Sequence, residues 1–234
     1  MALILIGTGV AFDLTLSAID ALKSSDEAYI ETYTNPIDAE KILELERIIG
    51  KKIVHLQRDH LESSYLVNKA KSANICVLAS GDPLTATTHI TLVLDSRAKQ
   101  VPIKVIHNSS IHSIAPARSG LQMYRFGKTA SLVNPRENYK PTSSLEIIRE
   151  NLKRDLHTLV LLDTEPEPME AKAALDLLFE FEKVIVLSRV AHQDEKITYG
   201  KPGEIKNKNL GKPPFTVIVP AKLHPIEEEF LETL

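Results

Sequence analysis

ICVLASGDPLTATTH, residues 75–89, decides how this chain is to be read. Ile75 to Leu78 are continuously apolar, the pattern of a strand covered on both faces and not of one with a solvated side. It stops abruptly at Gly81, Asp82 and Pro83, followed by Thr85, Thr87, Thr88 and His89. Such an ending either turns the chain for packing or opens a site at the strand's carboxyl end. Asp82 carries the same two readings: an Asx turn ahead of Pro83, or a ligand contact.

Similar short apolar runs lie at Ala2 to Ile6, Ala28 to Thr32, Ile53 to Leu56, Ile103 to Ile106, Thr158 to Leu162, Val184 to Leu187 and Phe215 to Val219. Helical patterns separate them. Asp13 or Thr15 caps one to about Lys23, Asp38 caps one ending near Gly50, and others span Thr85 to Lys99, Ser144 to Asp155 and Met169 to Glu182. Strand and helix in alternation predict α/β architecture with mostly parallel pairing. Asn, Ser, Pro and Gly cluster over residues 108–143, which reads as a domain junction near 108 followed by long functional loops. Two α/β domains, 1–108 and 109–234, follow.

Composition narrows the function. Twenty-eight basic against 31 acidic residues give a formal charge of −3, which argues against nucleic acid and anionic membranes as partners. No apolar stretch approaches the length of a membrane span. The opening MALILIGTGVAF lacks the basic flank of a signal peptide and reads as a first strand. The single cysteine, Cys76, allows no internal disulfide and suits the cytoplasm. His55 and His60, like His107 and His112, are five apart, which is not a same-face helical spacing, so no metal site is expected.

Gly7-Thr8-Gly9 follows the first strand, but Phe12 stands where a dinucleotide fingerprint needs a small residue. The glycines imply close backbone approach, either to a ligand or to a neighbouring chain segment. In parallel α/β sheets ligands lie beyond the carboxyl ends of the strands, where the loops 7–10, 81–85, 108–111 and the chain after Asp163 begin. A basic run follows, Arg118, Arg125, Lys128, Arg136 and Lys140 against Glu137 alone. It is either a solvated face or a surface that steers an acidic partner or a carboxylate-bearing substrate.

In order along the chain, the GTG turn, ETYT (31–34), GDPLTATTH (81–89), VIHNSSIHS (105–113), GLQMYRFGKT (120–129), NYKPTS (138–143), LHTLVLLD (156–163) and GKPPFTVIVPAKLH (211–224) resemble the diphthine synthase family. The resemblance spans nearly the whole chain. It implies the tetrapyrrole methylase-like, class III methyltransferase fold, with S-adenosyl-L-methionine in the interdomain cleft, and a homodimer. It also implies elongation factor 2 as substrate, where an aminocarboxypropyl-histidine receives three N-methyl groups, with a carboxylate methyl added in eukaryotic members. Cofactor contacts carried over by position are Gly9, Val10, Asp82, Thr85, Ser110, Ile111, Leu162, Val190 and Phe215; no general base is assigned. Arg118, Arg125 and Lys128 are candidates for the substrate carboxylate or an acidic partner surface, and Tyr124, Phe126 and Tyr139 for the methylated cation. The chain departs from the family in the shortened loop from Val10 to Asp13 and in the segment after Asp163. The same fold acting on a tetrapyrrole or another small molecule is the alternative, and a non-catalytic partner of translation is a further one.

Overall fold

A computed structural model describes residues 1–32, 37–135, 142–164 and 167–234. Arg136, Glu137, Tyr139 and Lys140 lie outside the described residues, as do Tyr33 and Thr34 of the ETYT motif. The chain divides into two compact units, Met1–Ser110 and Ile111–Leu234.

The first unit runs β1 (Leu3–Gly7), α1 (Leu16–Ser24), β2 (Glu27–Ile30), α2 (Ala39–Ile49), β3 (Ile53–His55), α3 (Arg58–Glu62), α4 (Tyr65–Lys69), β4 (Ile75–Ala79), α5 (Ile90–Ala98) and β5 (Ile103–Ile106). Its strands pair in parallel in the order β3-β2-β4-β1-β5. Side chains alternate along β4, so Ile75 and Val77 join one core while Cys76 and Leu78 join the other. On the first face they meet Leu61, Leu66, Val67, Leu92 and Val93. On the second they meet Ala18, Leu22, Ile42, Leu45 and Ile49. Burial on both faces is why β4 is apolar at every position.

Of the two candidate caps for α1, Thr15 is used: its hydroxyl accepts from Ala18 N–H at 3.2 Å. Gly50 ends α2 in the left-handed region at φ 72°, donating to Glu46 O at 2.9 Å. The helix expected from Thr85 begins only at Ile90. Local turn chemistry wins there: the Asp82 carboxylate takes Leu84 N–H and the Thr85 hydroxyl, His89 Nδ1 donates to Pro83 O at 3.0 Å, and Ala86 is left-handed at φ 55°.

The second unit contains α6 (Ile111–Arg118), a 3-10 turn (Met123–Arg125), β6 (Ala130–Leu132), α7 (Ser143–Lys153), β7 (Thr158–Leu162), α8 (Ala171–Leu177), β8 (Val184–Ser188), β9 (Lys196–Gly200), α9 (Pro202–Ile205), β10 (Phe215–Val219) and α10 (Pro225–Glu232). Its sheet order is β6-β7-β10-β8-β9, and here the expected parallel pairing fails. Among the described strand pairs only β6 with β7 is parallel; β10 runs antiparallel to β7 and β8, and β8 to β9. The link 189–195 between β8 and β9 is too short for a parallel crossover. Its core gathers Ile148, Val160, Leu175, Leu178, Val186 and Val217. The region 108–143, expected to be loops, holds α6 and β6, whose patterns are masked by Pro116 within the helix and by the three-residue length of the strand.

Candidate functional site

At the carboxyl ends of β1, β4 and β5, three loops are tied into one body. Gly9 and Gly81 exchange backbone hydrogen bonds at 3.0 and 3.2 Å. Asn108 Nδ2 donates to Gly7 O at 3.1 Å and to Asp13 O at 2.8 Å, while its Oδ1 accepts from Ser109 N–H at 2.8 Å. Val10 N–H donates to Ser109 Oγ at 3.3 Å. A β-carbon on Gly7 would lie 2.5 Å from Gly81 O and 3.0 Å from both Asn108 Cβ and Pro83 Cδ. The close approach foreseen for the GTG turn is therefore made to neighbouring chain segments.

Asp82 is the hub of this body. Its Oδ1 accepts from Leu84 N–H at 3.0 Å and from the Thr85 hydroxyl at 3.1 Å; its Oδ2 accepts from His107 Nδ1 at 2.8 Å and from Asn108 N–H at 3.2 Å. Burial alone would raise its pKa, but these four donors outweigh it and hold the carboxyl below its ordinary value. Asp82 therefore does turn chemistry across two loops, with both oxygens occupied. Removing it leaves several donors unsatisfied in a nearly dry setting. Asp82→Ala is expected to lower the unfolding free energy by about 2 kcal/mol in urea titration; a loss within about 0.5 kcal/mol, the range of ordinary surface substitutions, would contradict the hub role.

Backbone strain marks the same places. Among the described residues six non-glycine residues have positive φ, and two of them, Gln100 and Asp155, simply follow helix ends. The other four are Phe12, Ala86, Arg189 and Ala191, each within two residues of Val10, Thr85 or Val190. Strained backbone persists where surrounding structure enforces it, and it clusters at ligand-binding loops.

In the second unit, three expected contacts share one end of the sheet. Leu162 and Phe215 lie one residue beyond the paired Leu161 and Thr216, Phe215 pairs with Ser188, and Val190 is two residues past Ser188. Val10, Thr85, Ser110, Ile111, Leu162 and Phe215 are all partly exposed, whereas Gly9, Asp82 and Val190 are buried. Partial exposure at strand ends and turns suits residues that line a ligand site, and burial suits residues that shape one. Among the described residues no cluster of three or more His, Cys, Asp or Glu is placed to hold a metal, and no helix is long and apolar enough to cross a membrane.

The family model described as Tetrapyrrole (Corrin/Porphyrin) Methylases matches residues 2–206. A diphthine synthase of Staphylothermus marinus is 38% identical over 95% of this chain and 89% of its own length. One from Methanocaldococcus jannaschii is 37% identical over 99% and 98%. The chain belongs to the diphthine synthase family of tetrapyrrole methylases. A crystal structure of a diphthine synthase superposes with a TM-score of 0.91 at 31% identity, covering 100% of this chain and 95% of the other. The fold is thus the α/β tetrapyrrole methylase fold, and the chain is an S-adenosylmethionine-dependent methyltransferase.

The family motifs YRFGKT and LHTLVLLD form a structural knot in the second unit. His157 N–H donates to Arg125 O at 2.8 Å, Gly127 N–H donates to His157 O at 2.9 Å, and the Phe126 and His157 rings meet edge to face at 5.4 Å. Asn151 Nδ2 donates to Lys128 O at 2.8 Å and to the Thr158 hydroxyl at 2.9 Å. Arg125, a candidate for the substrate carboxylate or an acidic partner surface, is held by Glu227 at 2.6 Å, by Lys222 O at 2.6 Å and by Asp155 at 3.3 Å. Arg118 is likewise paired with Glu195. Of the aromatic candidates, Phe126 packs on His157 and Tyr124 is exposed.

Proposed function

We propose that this enzyme methylates the amine of an aminocarboxypropyl-histidine on elongation factor 2, three times in succession, with S-adenosylmethionine as methyl donor. A methyl on the substrate carboxylate is added if the source is eukaryotic. The observation that carries the cofactor reading is the three-loop body at the ends of β1, β4 and β5, locked by Asp82 and Asn108, beside which the expected contacts Val10, Thr85 and Ser110 remain partly exposed. The substrate reading rests on near full-length similarity to proteins named diphthine synthase.

In this proposal Val10, Thr85, Ser110, Ile111, Leu162 and Phe215 line the cofactor site, and the buried Gly9, Asp82 and Val190 shape it. They fit the group. Val10, Ile111, Leu162 and Phe215 offer apolar surface to an adenosyl moiety, and Thr85 and Ser110 offer hydroxyls. When bound, S-adenosylmethionine supplies an electrophilic methyl on a sulfonium. The chain's own contribution is placement, since a neutral amine and a cation merge into one cation with little new charge to stabilise. Asp82, Asn108 and Gly7 hold the loops rigid for that purpose, and the left-handed residues Phe12 and Ala86 set their course. A homodimer in the cytoplasm completes the proposal.

Methyl-labelled S-adenosylmethionine tests it against the small-molecule alternative. Offered elongation factor 2 carrying the aminocarboxypropyl group and, separately, a reduced tetrapyrrole, the enzyme is expected to label only the protein. Label on the tetrapyrrole alone would overturn the substrate reading and leave the cofactor reading intact.

A further inference from the structure

We propose that His107 is the general base of the transfer, taking a proton from the acceptor amine through Nε2 while Asp82 fixes the ring. The inference rests on the proposed reaction, whose acceptor is an amine that is an ammonium in water and has no lone pair until it loses a proton. It stands on three features of the first unit.

The first is tautomer. Asp82 is an ionised carboxylate, which only accepts, so the imidazole nitrogen 2.8 Å from its Oδ2 must be the one that donates. Nδ1 therefore carries the hydrogen, and the neutral ring presents its lone pair at Nε2. The second is access. The His107 side chain is 65% exposed while that of Asp82 is 9% exposed, so the orienting group is buried and the imidazole is open to solvent. The third is rigidity. Asp82 is itself pinned by Leu84 N–H, Asn108 N–H and the Thr85 hydroxyl, and His107 sits at the carboxyl end of β5, one residue before the Asn108 that ties the loops together. A buried acid that orients an exposed imidazole is the arrangement by which histidine serves as a base.

The chemistry balances. The substrate ammonium gives its proton to Nε2, and the lone pair so freed forms the N–C bond to the incoming methyl. The bond from that methyl to sulfur breaks with its electron pair on sulfur, leaving a neutral thioether. The imidazolium then returns its proton to water, which its exposure permits. Primary, secondary and tertiary ammonium groups each have a proton to lose. The quaternary product has neither proton nor lone pair, so the cycle ends at three.

The test uses the full-length enzyme and His107→Asn, in which the amide nitrogen can stand near Nδ1 and still donate to Asp82. Expected are a melting temperature near that of the wild type, an affinity for S-adenosylhomocysteine in calorimetry within about threefold of wild type, and a kcat on modified elongation factor 2 lower by about 100-fold. Added imidazole is expected to restore part of the activity of His107→Ala. In the cofactor-free enzyme, nitrogen-detected NMR should find Nδ1 protonated and Nε2 bare, a preference that Asp82→Asn removes. A His107→Asn enzyme that turns over at the wild-type rate overturns the proposal, as does a loss of S-adenosylhomocysteine affinity that accounts for the whole loss of turnover, or an Nε2-protonated ring. A wild-type enzyme that transfers no methyl to the peptide overturns the reaction on which the proposal rests, a result distinct from the others.

Discussion

Gly7→Ala is expected to lower the unfolding free energy by about 3 kcal/mol and to weaken S-adenosylmethionine binding by more than tenfold. The new methyl would stand 2.5 Å from a backbone carbonyl, Gly81 O, and 3.0 Å from Pro83 Cδ and Asn108 Cβ. None of these is the far end of a flexible side chain. Relief requires β1 and the Gly81 loop to separate, and that motion strains the paired hydrogen bonds between Gly9 and Gly81 and the one from Asn108 to Gly7. A useful contrast is Gly50→Ala, where nothing lies within 4 Å and only the φ of 72° opposes a side chain; its cost should be about 1 kcal/mol with cofactor affinity unchanged. Urea unfolding and calorimetric titration read both effects. Equal behaviour of the two variants would contradict the argument from close approach.

Glu227→Ala is expected to cost about 4 kcal/mol of stability, because it strands a network and not a single bond. Glu227 is fully buried at the start of α10; its Oε1 accepts from Gln122 N–H at 2.9 Å and from His157 Nε2 at 3.3 Å, and its Oε2 accepts from Arg125 at 2.6 Å and from His224 N–H at 2.7 Å. His157 Nδ1 accepts from Ala221 N–H at 2.9 Å, so the ring is neutral with its hydrogen on Nε2. Burial pushes the His157 pKa down despite the attraction of Glu227. The burial of Glu227 raises its pKa, but its N–H and His157 donors prevail and bring it below the usual carboxylate value.

The signs follow. Below the unfolded-state histidine value of 6.5 the unfolded chain protonates His157 while the folded chain does not, so stability falls with pH from there down to the lower folded value, by up to about 1.4 kcal/mol per pH unit. The contribution of Glu227 is present above 4.5 and is lost as pH falls through its lower folded value. His157→Gln should flatten the fall between pH 7 and 5, measured by urea titration. An unchanged slope would contradict a buried neutral ring.

What the sequence disclosed and what it hid divide by range. The bounds of the strand at Ile75–Ala79 were legible because burial on both faces writes itself into consecutive residues. The edge strand Lys196–Gly200 was not, because it buries only Thr198 and Gly200. Thr85 to His89 carries helical spacing, yet the partners that hold it in turns are Asp82 and Pro83, whose pull on it is a matter of geometry.

The candidate site shows the same division. GTG, GDP and NSS stood out as loops at strand ends, but that Asp82 ties two of them together depends on His107 and Asn108, 25 and 26 residues away. In the linear order His107 pairs only with His112, five residues on, and nothing there sets it beside an acid. Arg118 and Arg125 look like a free basic face for the same reason: their counterions Glu195 and Glu227 lie 77 and 102 residues on.

Mass spectrometry of elongation factor 2 bearing the aminocarboxypropyl-histidine, incubated with this enzyme and S-adenosylmethionine, reads the proposed methylation at its acceptor. Added mass is expected on that one peptide in methyl steps reaching three, or four where the carboxylate is also methylated, and none when S-adenosylmethionine is withheld. An unchanged peptide mass in the presence of an enzyme shown by calorimetry to bind the cofactor would contradict it.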